Sequence, residues 1–118
     1  MNKKELGKMG EKIASEYLKK LGYKIVTKNF RTRYGEIDLI CEKNDSIIFV
    51  EVRTKSNLNL LSPEESITSK KIDRLKKSSL EYLSLNEKKY KNIKFEFIGI
   101  LFYSDKNYKL SHIKNFIF

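Results

Sequence analysis

Apolar residues recur at helical spacing at the start of the chain. Leu6, Ile13, Ala14, Tyr17, Leu18 and Leu21, with Gly10 in the same stripe, predict an amphipathic helix over 3–21. Gly22 follows as its stop. A first strand is predicted over 23–30, around Ile25 and Phe30. Arg31-Thr32-Arg33-Tyr34-Gly35 reads as a turn, with Gly35 free to take a positive φ. Residues 36–42 form a second strand, and Lys43-Asn44-Asp45-Ser46 a short hairpin connection. The third strand, 46–55, holds the unbroken run Ile47-Ile48-Phe49-Val50. Alternation would leave one face polar, so a continuous run predicts a central strand buried on both faces.

A polar loop follows, from Ser56 to Asn59. The second helix has two rival start signals. Ser62-Pro63-Glu64-Glu65 resembles a capping box with proline at the first helical position, while Thr68 and Ser69 are alternative caps. Its body is clearer, with Ile72, Leu75, Ser79, Tyr82 and Leu83 on one face. A strongly apolar fourth strand covers 93–103, a turn covers 104–107, and a short fifth strand covers 108–113 ahead of an aromatic C-terminus. The order α-β-β-β-α-β-β, a three-strand meander followed by a crossover helix, predicts an α/β domain over 1–118. Its sheet is mixed and five-stranded, with helices packed against it.

Composition bounds the setting. With 118 residues and 40% hydrophobic content, the chain suits one compact core. No run approaches the length of a membrane helix, and the N-terminus lacks the apolar segment of a signal peptide. One cysteine, Cys41, excludes an internal disulfide and reads as core filler. A cytoplasmic protein with no membrane partner is expected. The net charge of +10 points to a polyanion, although an AT-rich genome would also enrich lysine. The four arginines escape that bias. Arg31, Arg33 and Arg53 flank an acidic pair, and Arg74 lies on the second helix. Guanidinium binds phosphate bidentately.

That acidic pair is the candidate chemistry. Asp38 lies in Gly35-Glu36-Ile37-Asp38-Leu39-Ile40, and Glu51 ends the run Ile47-Ile48-Phe49-Val50 ahead of Val52-Arg53-Thr54-Lys55. Carboxylates are depleted in strands and seldom buried without a partner. Strand alternation puts Glu36, Asp38 and Ile40 on one face, and Phe49, Glu51, Arg53 and Lys55 on one face of the next strand. A tight hairpin brings Asp38 near Glu51. Two close carboxylates need a shared proton or a cation between them, and Mg²⁺ accepts such oxygen ligands. Spacing alone fits a metal site and ordinary salt bridges to Arg53 and Lys55 equally well. Arg31 and Arg33, with Lys55, Lys70 and Lys71, are expected to form a basic DNA-binding face around the pair. Tyr34, within the basic turn, is the one aromatic that stands out as a base-stacking candidate. His112, the only histidine, reads as structural or superficial.

Gly35-Glu36-Ile37-Asp38-Leu39-Ile40 followed by Phe49-Val50-Glu51-Val52-Arg53-Thr54-Lys55 resembles the bacterial YraN family. The likeness extends to Gly10-Glu11, to Asn29-Phe30-Arg31-Thr32-Arg33, to Thr68 with Lys70-Lys71, to Lys94-Phe95-Glu96-Phe97 and to His112-Ile113-Lys114-Asn115. That family in turn resembles the restriction-endonuclease-like PD-(D/E)XK nucleases, among them the archaeal Holliday-junction resolvases. The resemblance implies a restriction-endonuclease-like core. It implies Asp38, Glu51 and the Val52 carbonyl as ligands of Mg²⁺ or Mn²⁺. It also implies that Glu11 reaches the site from the first helix; the helical wheel leaves Glu11 and Glu16 at opposite edges of the apolar stripe. Arg53 stands where the superfamily pattern has lysine. It can hold charge but is a poor base, and Lys55 is the alternative one pleat further on. The expected function is a Mg²⁺-dependent DNA endonuclease, with branched or single-stranded DNA as the partner and a homodimer among the assemblies allowed. The alternatives are a nucleic-acid-binding protein with a degenerate site, and an adaptor that keeps only the fold.

Overall fold

The computed structural model describes residues 1–56 and 62–117. Five strands form one sheet between two helices. In chain order the elements are α1 (Lys3–Lys20), β1 (Lys24–Thr32), β2 (Gly35–Lys43), β3 (Ser46–Ser56), a 3₁₀ turn (Glu64–Ser66), α2 (Ser69–Leu85), β4 (Asn92–Phe102) and β5 (Tyr108–Lys114). The spatial order equals the chain order, β1-β2-β3-β4-β5. β3 and β4 run parallel from Ser46–Asn92 to Ser56–Phe102, because α2 carries the chain back across the sheet. The other neighbours are antiparallel. This is the α/β architecture and element order that the hydrophobic pattern predicts. Of the predicted loop, Ser56 closes β3 and the remainder lies outside the described residues.

β3 is buried on both faces, as its apolar run requires. Ile48, Val50 and Val52 pack with Ala14 and Leu18 of α1. Ile47 and Phe49 pack with Leu75 and Tyr82 of α2. Cys41 is fully enclosed and unpaired, and burial pushes its thiol pKa up to about 12. Among the described residues no helix is long and apolar enough to cross a membrane.

Local chemistry sets the element ends. Asn2 caps α1 by accepting from the Glu5 N–H, and Gly22 leaves the helix at φ +90°. Both rival start signals near α2 are used. The Ser62 hydroxyl accepts from the Glu65 N–H at 3.2 Å and opens the 3₁₀ turn. Thr68 then caps α2 by accepting from the Lys71 N–H at 3.2 Å. The start is doubled because Ile67 is extended between the two turns.

Two close approaches need glycine. A Cβ on Gly10 would lie 2.0 Å from Thr54 Oγ1, so α1 rests directly on β3 there. A Cβ on Gly99 would lie 2.8 Å from both Glu64 Oε1 and Pro63 Cβ, so the 3₁₀ turn presses onto β4. Gly99 is the register partner of Arg53.

His112 is structural. Its Nε2 faces Glu96 Oε1 at 2.7 Å, and its Nδ1 faces the Tyr17 hydroxyl at 3.0 Å. The Tyr23 hydroxyl donates to the same Glu96 oxygen at 2.7 Å. Glu96 is 2% exposed. Burial alone would push its carboxyl up, but the hydrogen bonds from His112 and Tyr23 outweigh it, and the pKa lies below the ordinary glutamate value. A carboxyl with a lowered folded pKa adds stability above its unfolded value and loses it as pH falls through the folded one. Glu96→Gln is expected to cost about 1–3 kcal/mol near neutrality. The difference should shrink as the parent is acidified below the ordinary glutamate pKa. Urea melts of both proteins across that range check it, and a pH-independent gap would contradict the account.

Candidate active site

β2 and β3 pair only as far as Leu39–Val50. Asp38 is the next residue, and there the strands part. The backbone N–H of Val52 donates to Asp38 Oδ2 at 2.8 Å, so a side chain takes the bond that the ladder leaves free. Across the sheet, Asn29 of β1 has a φ of +52° and falls between the pairs Lys28–Leu39 and Phe30–Ile37. The strand turns over at this point. Ile37 and Ile40 both pack toward α2, while Leu39 and Cys41 pack toward α1. Simple alternation, which puts Ile40 on the face of Asp38 and opposite Ile37, therefore fails here. Asp38 sits at a seam that side chains from both helices' faces of the sheet can reach.

Four carboxylates meet at that seam. Glu11, Glu36 and Asp38 each offer an oxygen within 4.8 Å of the others. Glu51 shares a side-chain hydrogen bond with Asp38. Gly10, packed flush on Thr54, carries the neighbouring Glu11 inward to a half-buried position, whereas Glu16 is exposed. The helical wheel could not make that choice. With its amide nitrogen turned to the cluster, Asn29 donates to Glu36 Oε1 at 2.8 Å and Glu11 Oε1 at 3.1 Å.

Cations face the cluster. Arg53 Nη2 lies 2.8 Å from Glu51 Oε2, and its Nε is buried without a hydrogen-bond partner among the described residues. An open cavity of about 260 Å³ is lined by Glu36, Asp38, Glu51, Arg53, Lys71 and Arg74. Lys71 Nζ donates to the Ser66 carbonyl at 2.9 Å. Arg31 sits at the rim, 3.5 Å from Glu36.

The electrostatics of the cluster are strained. Burial, then the charge of Glu51, holds Asp38 well above the usual carboxylate range, despite the Val52 N–H and Arg53. Burial also raises Glu51, against the pull of Arg53 and of Lys71. Burial and the charges of Glu36 and Glu51 raise Glu11, against the Asn29 hydrogen bond. Lys71 is lowered by burial and then by the charges of Arg53 and Lys55. An all-oxygen set of carboxylates that repel one another is the donor chemistry of Mg²⁺ or Mn²⁺.

The expected residues do not all fall in one place. Glu11, Asp38, Glu51, Arg53 and Lys71 surround the cavity or its acidic seam, with Arg31 at its edge. Lys55 does not line it and acts on Lys71 by charge alone. Lys70 is exposed at the start of α2. Arg33 turns toward α2, 3.6 Å from Glu81. The sequence reading missed Asn29 and Glu36 as site residues, and left Arg74 without a role. Only the Gly-Glu-Ile-Asp pattern hinted at Glu36, and nothing local marks Asn29, whose part depends on a left-handed backbone.

The architecture and the seam define a class: a mixed-sheet α/β protein carrying a desolvated carboxylate cluster ringed by cations. Residues 10–100 match the uncharacterised protein family UPF0102, and the chain belongs to that family, the YraN family of the sequence resemblance. A UPF0102 protein of Syntrophomonas wolfei is 47% identical over 112 residues, covering 95% of this chain and 96% of its own. One from a Sulfurihydrogenibium species is 39% identical over 115 residues, covering 98% and 96%. One from Alkaliphilus oremlandii is 41% identical over 117 residues, covering 98% of each.

A carboxyl whose folded pKa is raised stabilises the fold most below its unfolded pKa, and that contribution falls away as pH rises through the folded one. Ionising Asp38 and Glu51 therefore costs the protein stability, and the cost grows as pH rises. Asp38→Asn is expected to raise the metal-free melting temperature by a few degrees. It should also remove the further rise that millimolar Mg²⁺ or Mn²⁺ gives the parent. Scanning fluorimetry with and without metal checks both effects, and a parent that melts identically in either condition would overturn the metal site.

Proposed function

We propose that this chain is a Mg²⁺- or Mn²⁺-dependent DNA endonuclease with a restriction-endonuclease-like core, working in the cytoplasm. The observation that carries the reading is the convergence of Glu11 of α1, Glu36 and Asp38 of β2 and Glu51 of β3 beside Arg53, Lys71 and Arg74. Glu11, Asp38 and Glu51, each held above its usual pKa by burial, favour a divalent cation, and cations grouped beside them favour the phosphate of a nucleic acid.

Asp38 and Glu51 would hold the metal, with the Val52 carbonyl as the backbone ligand that the superfamily pattern implies. Glu11 and Glu36, tied by Asn29, would hold its outer waters. Bound there, Mg²⁺ or Mn²⁺ supplies a coordinated water of lowered pKa and offsets charge on the scissile phosphate. Arg53 and Arg74 would bind the phosphate oxygens, their charge worth most as the pentacoordinate phosphorus develops. Arg53 cannot serve as a base. Lys71 is the lysine that lines the cavity, and its lowered pKa suits it to accept and release a proton there.

One observation favours a second reading, a nucleic-acid-binding protein with a degenerate site. The Arg53–Glu51 pair at 2.8 Å fills a carboxylate oxygen that a metal would otherwise use. The two readings separate in one experiment. Duplex, single-stranded, flap and four-way DNA are incubated with Mg²⁺ or Mn²⁺, and affinity is measured in parallel. The nuclease reading expects cleavage that Asp38→Asn abolishes. Lys71→Ala and Arg53→Ala should each lower it by about a hundredfold with affinity little changed, and Arg53→Lys should preserve or raise it. Salt-dependent binding without cleavage by the parent or Arg53→Lys would leave the degenerate-site reading standing.

A further inference from the structure

Beside the acidic seam lies a second groove that the chemistry above does not use. Its volume is about 440 Å³, and it is lined by Arg33, Tyr34, Lys77, Leu80, Glu81 and Leu85 among others. One wall is the β1–β2 turn and the other is the outer face of α2. The two are pinned together, since Thr32 Oγ1 lies 2.8 Å from the buried Ser78 Oγ. The same Thr32 oxygen accepts from the Tyr34 N–H at 3.0 Å and the Gly35 N–H at 3.2 Å. The turn that carries Tyr34 is thus held in place from both sides. Gly35 and Ser78 also line the acidic cavity, so groove and seam are neighbours along one surface.

The groove's chemistry is specific. The Tyr34 ring has the Arg33 guanidinium 5.2 Å from its centroid and the Lys77 ammonium 5.7 Å away. Leu80 and Leu85 are 66% and 72% exposed, so two large apolar side chains stand in water next to an aromatic ring with cations over it. Glu81, the acidic member, is engaged by Arg33. An aromatic ring with apolar walls suits a flat base, which would take the place of the cations over the ring and free them to turn to the phosphates on either side. A paired base is hidden inside its duplex and cannot reach such a platform without flipping out.

We infer that the Tyr34 groove is a subsite for an unpaired nucleobase of the DNA strand whose phosphate enters the Asp38–Glu51 seam. The inference rests on the proposed nucleic-acid reading and makes it narrower, since it assigns the preference for single-stranded or branched DNA to one side chain. Leu80 and Leu85 flank the base, while Arg33 and Lys77 hold the backbone beside it.

The test is done in EDTA, so that it does not depend on cleavage. A short oligothymidine bearing one 2-aminopurine, and a hairpin duplex of the same length, are titrated with the full chain. The parent is expected to bind the single strand more tightly than the duplex and to quench the 2-aminopurine by stacking. Tyr34→Phe keeps the ring and should keep both effects. Tyr34→Ala should lose the quenching and weaken single-strand binding by about tenfold, with duplex affinity unchanged. Circular-dichroism melts confirm that each variant is folded. Equal losses on both substrates, or none, would overturn the subsite and leave the nuclease reading intact, and the same holds if the groove is covered by a second copy of the chain. Quenching that depends on Tyr34 in a protein that cuts nothing would keep the subsite and sink the nuclease. A parent that binds no DNA would sink both.

Discussion

A strand buried on both faces can carry charge only where its cover ends. β3 is that strand here. Ile47 through Val50 are enclosed by α1 on one side and α2 on the other, and any ionised group among them would face a large desolvation cost. The first carboxylate along the strand, Glu51, appears where the neighbouring β2 peels away. Parting of the strands exposes unpaired backbone, and the Asp38 carboxylate satisfies the Val52 N–H from across the gap. Apolar core, strand divergence and acidic seam are thus consequences of one arrangement, since water and side chains enter the sheet only where the ladder stops.

Two buried glutamates show the difference between a structural and a chemical use of the same residue. Glu96 is enclosed almost completely, yet His112 and Tyr23 satisfy it and its pKa is lowered. Glu51 is less enclosed, yet its acidity is weakened, because burial raises its pKa and Arg53 with Lys71 compensates only in part. The first arrangement is complete without any further partner. The second improves when a cation arrives, which is why the seam and not the Glu96 network supports a catalytic reading.

The cations follow a similar division. Lysines spread over exposed helix faces account for much of the net charge. Arg53, Lys71 and Arg74 are different, because the crossover that makes β3 and β4 parallel sets the start of α2 beside the end of β3. Gly99 admits the 3₁₀ turn, the turn sets Ser66, and the Ser66 carbonyl holds the Lys71 ammonium. A lysine is thereby carried to the acidic seam from a different element than the one bearing Arg53.

Hydrophobic periodicity by itself determined the elements, their order and the central place of β3, because period and burial are local properties of the side chains. It also exposed Asp38 and Glu51, since a carboxylate in an apolar strand is conspicuous in one dimension. Resemblance, rather than periodicity, distinguished Glu11 from Glu16, and the physical reason became visible only with Gly10 lying against Thr54. Glu36 and Asn29 stayed hidden because their roles depend on a strand that turns over at Asp38 and on a left-handed residue across the sheet, which alternation does not foresee. Lys71 could be read only as one cation of a basic face. Its proximity to Glu51 is a long-range contact made by the crossover, and such contacts are decided by tertiary packing rather than by any pattern along the chain.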